Sequence, residues 1–319
     1  MATMDSRAGS AAPRVGIALG SGSARGWAHV GVLRALEAAG VHPAVVCGSS
    51  IGALVGAAYA AGHLGALERW LRRLTWRTVV RFLDVTLAGG GFIEGERLMD
   101  FFTAHAELPP IEALPVRYGA VATELETGRE VWFTEGPLAE AVRASIALPG
   151  LFTPARHGGR WLVDGGLVNP VPVSLCRALG AEVVIAVNLN GDITRRPRAR
   201  TAGRMPQGID GALLARLREE VAGYLKARAP ARVRELFEPR PRGPGLLEVV
   251  TGAINIMQDR ITRSRMAGDP PDVVVLPRLA HLGLMEFHRA PEAMAEGRAA
   301  AERAMPALRE LLGGALSAP

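Results

Sequence analysis

Ser50 stands in Gly48-Ser49-Ser50-Ile51-Gly52, a G-x-S-x-G pattern between an apolar run and a stretch of small residues. A serine on a sharp strand-to-helix turn lifts its hydroxyl out of a sheet, and small flanking residues let strand and helix approach closely. The helix N-terminus beneath it adds partial positive charge where an oxyanion forms. In a chain with 38 glycines, the same five residues also read as a glycine-lined turn with an idle serine. A second stretch, Gly20-Ser21-Gly22-Ser23-Ala24-Arg25-Gly26, directly follows another apolar run. It fits a dinucleotide fingerprint poorly, because the third glycine should fall at Arg25 and no acid stands between Gly40 and Ser50. It suits a row of backbone N–H groups that receives an oxyanion, and it also reads as a plain turn opening a helix. The third candidate is Asp164, in Trp161-Leu162-Val163-Asp164-Gly165-Gly166 followed by Asn169-Pro170-Val171-Pro172. A carboxylate at a strand end, released by two glycines, faces a site at the carboxyl edge of a sheet; the alternative is an aspartate that only builds a turn.

The elements that must position these residues follow from the apolar pattern. Val15–Leu19, Ala44–Cys47, Trp161–Val163, Val183–Asn188 and Val273–Leu276 read as strands. Val116–Thr123 and Arg129–Thr134 flank Glu126-Thr127-Gly128 and predict a hairpin. Helices are predicted over Gly26–Ala39, Ile51–Ala61, Leu64–Leu74, Leu138–Leu148, Val173–Leu179 and Ala293–Leu312. Strands alternating with helices predict an α/β fold with a mostly parallel central sheet covered by helices on both faces.

Composition narrows the function. The 319 residues are 49% hydrophobic and 21% charged, which is ordinary globular usage. Two cysteines, Cys47 and Cys176, exclude a disulfide framework and a four-cysteine zinc site and suit a reducing compartment. The histidines are scattered, so neither a metal nor another cofactor is expected. The longest apolar stretch, Ile51–Gly62, is shorter than the about 20 residues a bilayer span needs. Met1–Arg14 has no apolar signal core and reads as a loose leader, so a cytoplasmic protein is expected. Between Arg195 and Arg242 lie 13 basic and five acidic residues, whereas the whole chain nets +6. The segment at about 191–245 therefore reads as an Arg/Pro-rich basic insertion in a single domain spanning 15–312, with a tail at 313–319. Arg/Pro-rich sequence without an aromatic stacking surface gives no case for nucleic acid.

Taken together, the three motifs resemble the patatin-like phospholipase family. The connecting text carries the likeness too: Val121-Ala122-Thr123-Glu124-Leu125 with Thr127-Gly128, Ala144-Ser145-Ile146-Ala147-Leu148-Pro149-Gly150-Leu151-Phe152, Met266-Ala267-Gly268-Asp269-Pro270-Pro271-Asp272, and Phe287-His288-Arg289-Ala290. The likeness is greatest to bacterial members of the RssA type. It implies the family's three-layer fold and a serine acyl hydrolase that acts on lipid esters, phospholipase A-like or lysophospholipase-like, through a Ser–Asp dyad. Carried over, Ser50 is the nucleophile, Asp164 the base, and the amides of Gly22 and Ser23 the oxyanion hole, with Arg25 in the loop's basic position. The family loop is usually a run of glycines, whereas Ser21 and Ser23 stand in this one; a positive φ at Ser23 would cost about 1–2 kcal/mol.

Aspartate near pKa 3.9 is a poor base for a hydroxyl, so the dyad requires burial to raise it. Such weak acid assistance favours alcohol or thiol leaving groups over amines, hence esters or thioesters over peptides. Two rival expectations remain. Ser50, Asp164 and then His281 or His288 follow the α/β-hydrolase order of a triad, and the chain is alternatively a regulatory or scaffold protein with little turnover. For membranes, Arg69, Arg73, Arg77 and Arg81 recur every four residues beside Trp70, Leu71, Leu74, Trp76 and Phe82. On one continuous helix they form a basic stripe suited to transient docking on anionic lipid; otherwise they are an ordinary solvated face.

Overall fold

The computed structural model describes residues 13–75, 78, 108–192 and 246–313. The leader up to residue 12, the basic insertion from 193 to 245, Arg77, Arg81, Trp76, Phe82 and the tail beyond Gly313 lie outside the described residues.

Five strands form the parallel centre of the sheet in the order β3 (Arg117–Glu124), β2 (Val45–Ser49), β1 (Val15–Leu19), β7 (Val183–Val187) and β8 (Val273–Val275). Their near-continuous apolar runs suit strands covered on both faces. One face carries α1 (Ala28–Ala38), α2 (Ile51–Ala60), α3 (Leu64–Arg72), α4 (Leu138–Ser145) and α7 (Ala290–Leu312), packed on Ile17, Leu19, Val46, Ile185 and Val187. The other face carries α5 (Val173–Ala178), whose Val173, Leu175 and Cys176 meet Ala18, Val45, Cys47 and Val184. The architecture is thus the α/β sheet, helix-covered on both faces, that the alternating pattern predicts.

Three antiparallel strands extend β3. The predicted hairpin is present: β4 (Glu130–Phe133) runs along one edge of β3, with Ala120 opposite Phe133 and Thr123 opposite Glu130. The opposite edge of β3 is shared. β2 pairs along it up to Ser49 opposite Val121, and β6 (Arg160–Asp164) pairs antiparallel from Asp164 opposite Ala122 onward. β2 and β6 therefore meet C-terminus to C-terminus at neighbouring rungs of β3. A short strand, β5 (Ala155–His157), pairs with β6 at the sheet margin and was not legible in the apolar pattern.

Two helical expectations change. The helix expected over Gly26–Ala39 begins at Ala28, because Ser23–Trp27 winds into a 3-10 turn first. The arginine stripe does not lie on one continuous helix, because α3 stops at Arg72 and neither Leu74 nor Thr75 is helical. A 23-residue helix, α6 (Leu246–Gly268), was also not expected.

Candidate active site

The meeting of β2 and β6 fixes the centre of the site. Ser50 follows directly on the last residue of β2, and Asp164 is the last residue of β6. Ser50 Oγ donates to Asp164 Oδ2 at 2.5 Å. Asp164 is fully buried, and Gly166 N donates to its Oδ1 at 2.7 Å. Burial raises the carboxyl to about 7, against the lowering effect of the bonds from Ser50 and Gly166. At neutral pH the group thus exchanges a proton readily, as a general base must.

The turn at Ser50 is strained, with φ 56° and ψ −127°. A β-carbon on Gly52 would stand 2.0 Å from Leu19 O, and one on Gly26 would stand 2.1 Å from Ile51 Cγ2, so the elbow and the glycine-rich loop are pressed together. Gly48 lies against Ala53 and Gly165 against Val121, while Ser49 is buried on β2. Four amides of the loop have acceptors: Gly20 N on Val187 O, Ser21 N on Pro170 O, Ala24 N on Leu284 O and Arg25 N on Gly22 O. Among the described residues, the amides of Gly22 and Ser23 have none. Ser23 does adopt a positive φ, 51°. Its Oγ donates to Leu284 O at 2.7 Å, and Ala24 N donates to the same carbonyl at 3.1 Å, which holds the turn. Gly22, at φ 169°, is simply extended.

Apart from Arg25, the polar residues around the site carry no functional reading in the sequence. Ser145, at the end of α4, accepts Ser50 N at 2.9 Å and donates to Val121 O at 2.6 Å. Thr123 Oγ1 donates to Asp164 O at 2.8 Å. His29 lies fully buried under the loop, its Nε2 2.7 Å from Gly20 O. Burial lowers the imidazole to about 4, so it is neutral and donates from Nε2. Arg25 is buried and stays charged at neutral pH, although burial lowers it to about 10. It donates to Asn190 Oδ1 at 3.2 Å and Asn255 Oδ1 at 3.4 Å, and Asn190 Nδ2 donates to Gln258 Oε1 at 3.1 Å. A β-carbon on Gly166 would meet Gln258 Nε2, Ser21 Oγ and Asp164 Oδ1 within 2.9 Å, which puts α6 beside the carboxylate. A lone histidine in an apolar helix gave no cue, and neither did polar residues in a segment without a core stripe.

Among the described residues, neither histidine of the rival triad hydrogen-bonds to Ser50 or Asp164. His281 is half exposed and pairs with Glu292 at 2.8 Å; His288 sits in a separate 3-10 turn, Phe287–Arg289. Of the proposed membrane stripe, Arg69 and Arg73 are exposed, but Trp70 packs edge-on against Trp27 with ring centroids 6.4 Å apart.

Comparison with known proteins gives the family. Residues 17–177 match the model of the patatin-like phospholipase family. An uncharacterised NTE family protein of Mycobacterium tuberculosis is 36% identical over 94% of this chain and 93% of its own length. A patatin-like phospholipase domain-containing protein of Caenorhabditis elegans is 36% identical over 55% of this chain and 13% of its own length. The lysophospholipase nte1 of Neurospora crassa is 32% identical over 58% of this chain and 12% of its own length. The crystal structure of VipD from Legionella pneumophila aligns with TM-score 0.47 and 13% identity, over 94% of this chain and 67% of that one. The chain belongs to the patatin-like phospholipase family and is a hydrolase of lipid esters.

Proposed function

We propose that the protein hydrolyses carboxylic ester bonds of phospholipids or lysophospholipids through Ser50 and Asp164, with no histidine in the catalytic set. The observation that carries this reading is the 2.5 Å contact of Ser50 Oγ with a fully buried carboxyl raised to about 7. Ser50 Oγ attacks the ester carbonyl carbon while its proton passes to Asp164 Oδ2. The carbonyl oxygen becomes an oxyanion facing the amides of Gly22 and Ser23; one such donor is typically worth about 3–4 kcal/mol. The tetrahedral species collapses, the ester C–O bond breaks, and the leaving alcohol takes the proton from Asp164. Water then attacks the acyl-Ser50, giving its proton to Asp164, and the released Ser50 oxygen recovers it as the fatty acid departs.

The family and the relatives named lysophospholipases support this substrate class. A panel of short- and long-chain esters, lysophospholipids and phospholipids, run against wild type and Ser50→Ala, tests it. Hydrolysis of at least one lipid ester that disappears in Ser50→Ala is expected. Turnover that survives in Ser50→Ala would overturn the assignment.

Contact with anionic membranes is part of the same reading, supported by exposed Arg69 and Arg73 and by the basic excess between Arg195 and Arg242. Co-sedimentation with vesicles should rise with anionic lipid and fall with salt; insensitivity to both would exclude it. Among the described residues, no helix is long and apolar enough to cross a membrane.

A further inference from the structure

We infer that Ser145 is a positioning residue of the hydrolysis, holding the backbone of the nucleophile so that the Ser50 hydroxyl stays aimed between Asp164 and the glycine-rich loop. The inference rests on the function proposed for Ser50. Its basis is where the β2–β3 ladder ends. Ser49 is paired opposite Val121, and in a parallel ladder the next amide, that of Ser50, reaches for the carbonyl of Val121. The chain turns too sharply at Ser50 for that bond. The Ser145 hydroxyl stands in the gap, accepting Ser50 N at 2.9 Å and donating to Val121 O at 2.6 Å. Its single proton and an acceptor lone pair are thereby both used, and the side chain is fully buried. Without it, Ser50 N–H would be left in the interior with no acceptor, at a residue whose φ of 56° already disfavours the native turn.

The same short segment also holds the other catalytic group. Two residues after Ser145, the carbonyl of Ala147 accepts the amide of Asp164 at 2.9 Å. The end of α4 is therefore tied to both strand ends, once through a side chain and once through the main chain. Only the first tie depends on residue type, so Ser145 is the position where substitution separates aim from fold. Because Ser145 touches neither Asp164 nor a reacting atom, its loss should lower the rate without moving the titration of the base.

The test measures short-chain ester kinetics for wild type, Ser145→Ala and Ser145→Thr, with reactive sites counted by fluorophosphonate labelling. For Ser145→Ala, kcat per reactive site should fall about ten- to a hundredfold. KM should stay within about twofold and the pH midpoint should not move; Ser145→Thr should recover most of the rate. Ser145→Ala within twofold of wild type per site, or Ser145→Thr no better than Ser145→Ala, would overturn the inference. Should Ser145→Ala not fold, Ser145→Cys carries the test: at least about a fivefold loss is expected from a weak thiol donor, and wild-type turnover would overturn it. A wild-type protein that fails to label at Ser50 would instead sink the proposed function itself.

Discussion

Helices α6 and α7 are each 23 residues long, yet they bury opposite kinds of residue. α7 buries Ala293, Met294, Gly297, Ala300, Ala301, Met305, Leu308 and Leu312, a three-and-four spacing that makes one apolar stripe. It crosses α1 so closely that a β-carbon on Gly297 would stand 1.9 Å from Ala28 O, and one on Gly31 would stand 1.9 Å from Met294 O. On α6 the buried residues among those described are Ile254, Gln258, Asp259 and Thr262, while Ile256 and Met257 are 58% and 49% exposed. α7 closes a core, whereas α6 roofs a polar site and turns its polar face inward. The difference separates apolar residues that stabilise the fold from polar residues packed beside Gly166 and Asp164.

Asp164→Asn should sharpen that contrast most. Activity should fall at least about a thousandfold, since the amide cannot take the Ser50 proton. Stability should move the other way. The native carboxyl titrates near 7 against 3.8 for an unperturbed one, so the folded state holds the proton more tightly than the unfolded chain. Its favourable contribution is complete below about pH 4 and is lost as pH rises through 7, a swing on the order of 4 kcal/mol. Melting curves of Asp164→Asn and wild type should therefore coincide near pH 4 and separate up to pH 8, with the variant more stable. A variant less stable than wild type at pH 8 would contradict the buried, raised carboxyl.

On the packing side, Gly297→Val should cost about 3 kcal/mol in denaturant unfolding, because the new side chain meets backbone that cannot yield. Next in size is Gln258→Leu. It leaves Asn190 Nδ2 without its acceptor, which costs about 1–2 kcal/mol, and it should lower kcat/KM. The smallest effect is expected at the outward face of α6, where Ile256→Gln should change unfolding free energy by no more than about 0.5 kcal/mol. A cost there equal to that of Met294→Ala would erase the distinction between the two helices.

What could be read without coordinates follows the same division. Val15–Leu19, Val183–Val187 and the closing helix announce themselves because burial of apolar side chains is their main constraint. Ser50 and Asp164 are legible because a strained elbow and a strand-end carboxylate each need glycines beside them. α6 is not, since a helix that turns half-buried Asn255 and buried Gln258 inward shows no apolar stripe. Ser145 and His29 are hidden for another reason: each acts through hydrogen bonds to backbone groups, two to segments far along the chain for Ser145 and one around a turn for His29. The arginine repeat misleads because spacing alone cannot show that α3 ends at Arg72.

The central claim is that a buried carboxyl, without imidazole, activates Ser50. Its most direct test is the rate of fluorophosphonate acylation of Ser50 as a function of pH in wild type, Asp164→Asn and the double variant His281→Ala/His288→Ala. The account predicts a wild-type rate that rises through a midpoint near 7, the same profile in the histidine variant, and near-complete loss in Asp164→Asn. Acylation of Asp164→Asn at the wild-type rate, or its loss in the histidine variant, would contradict it.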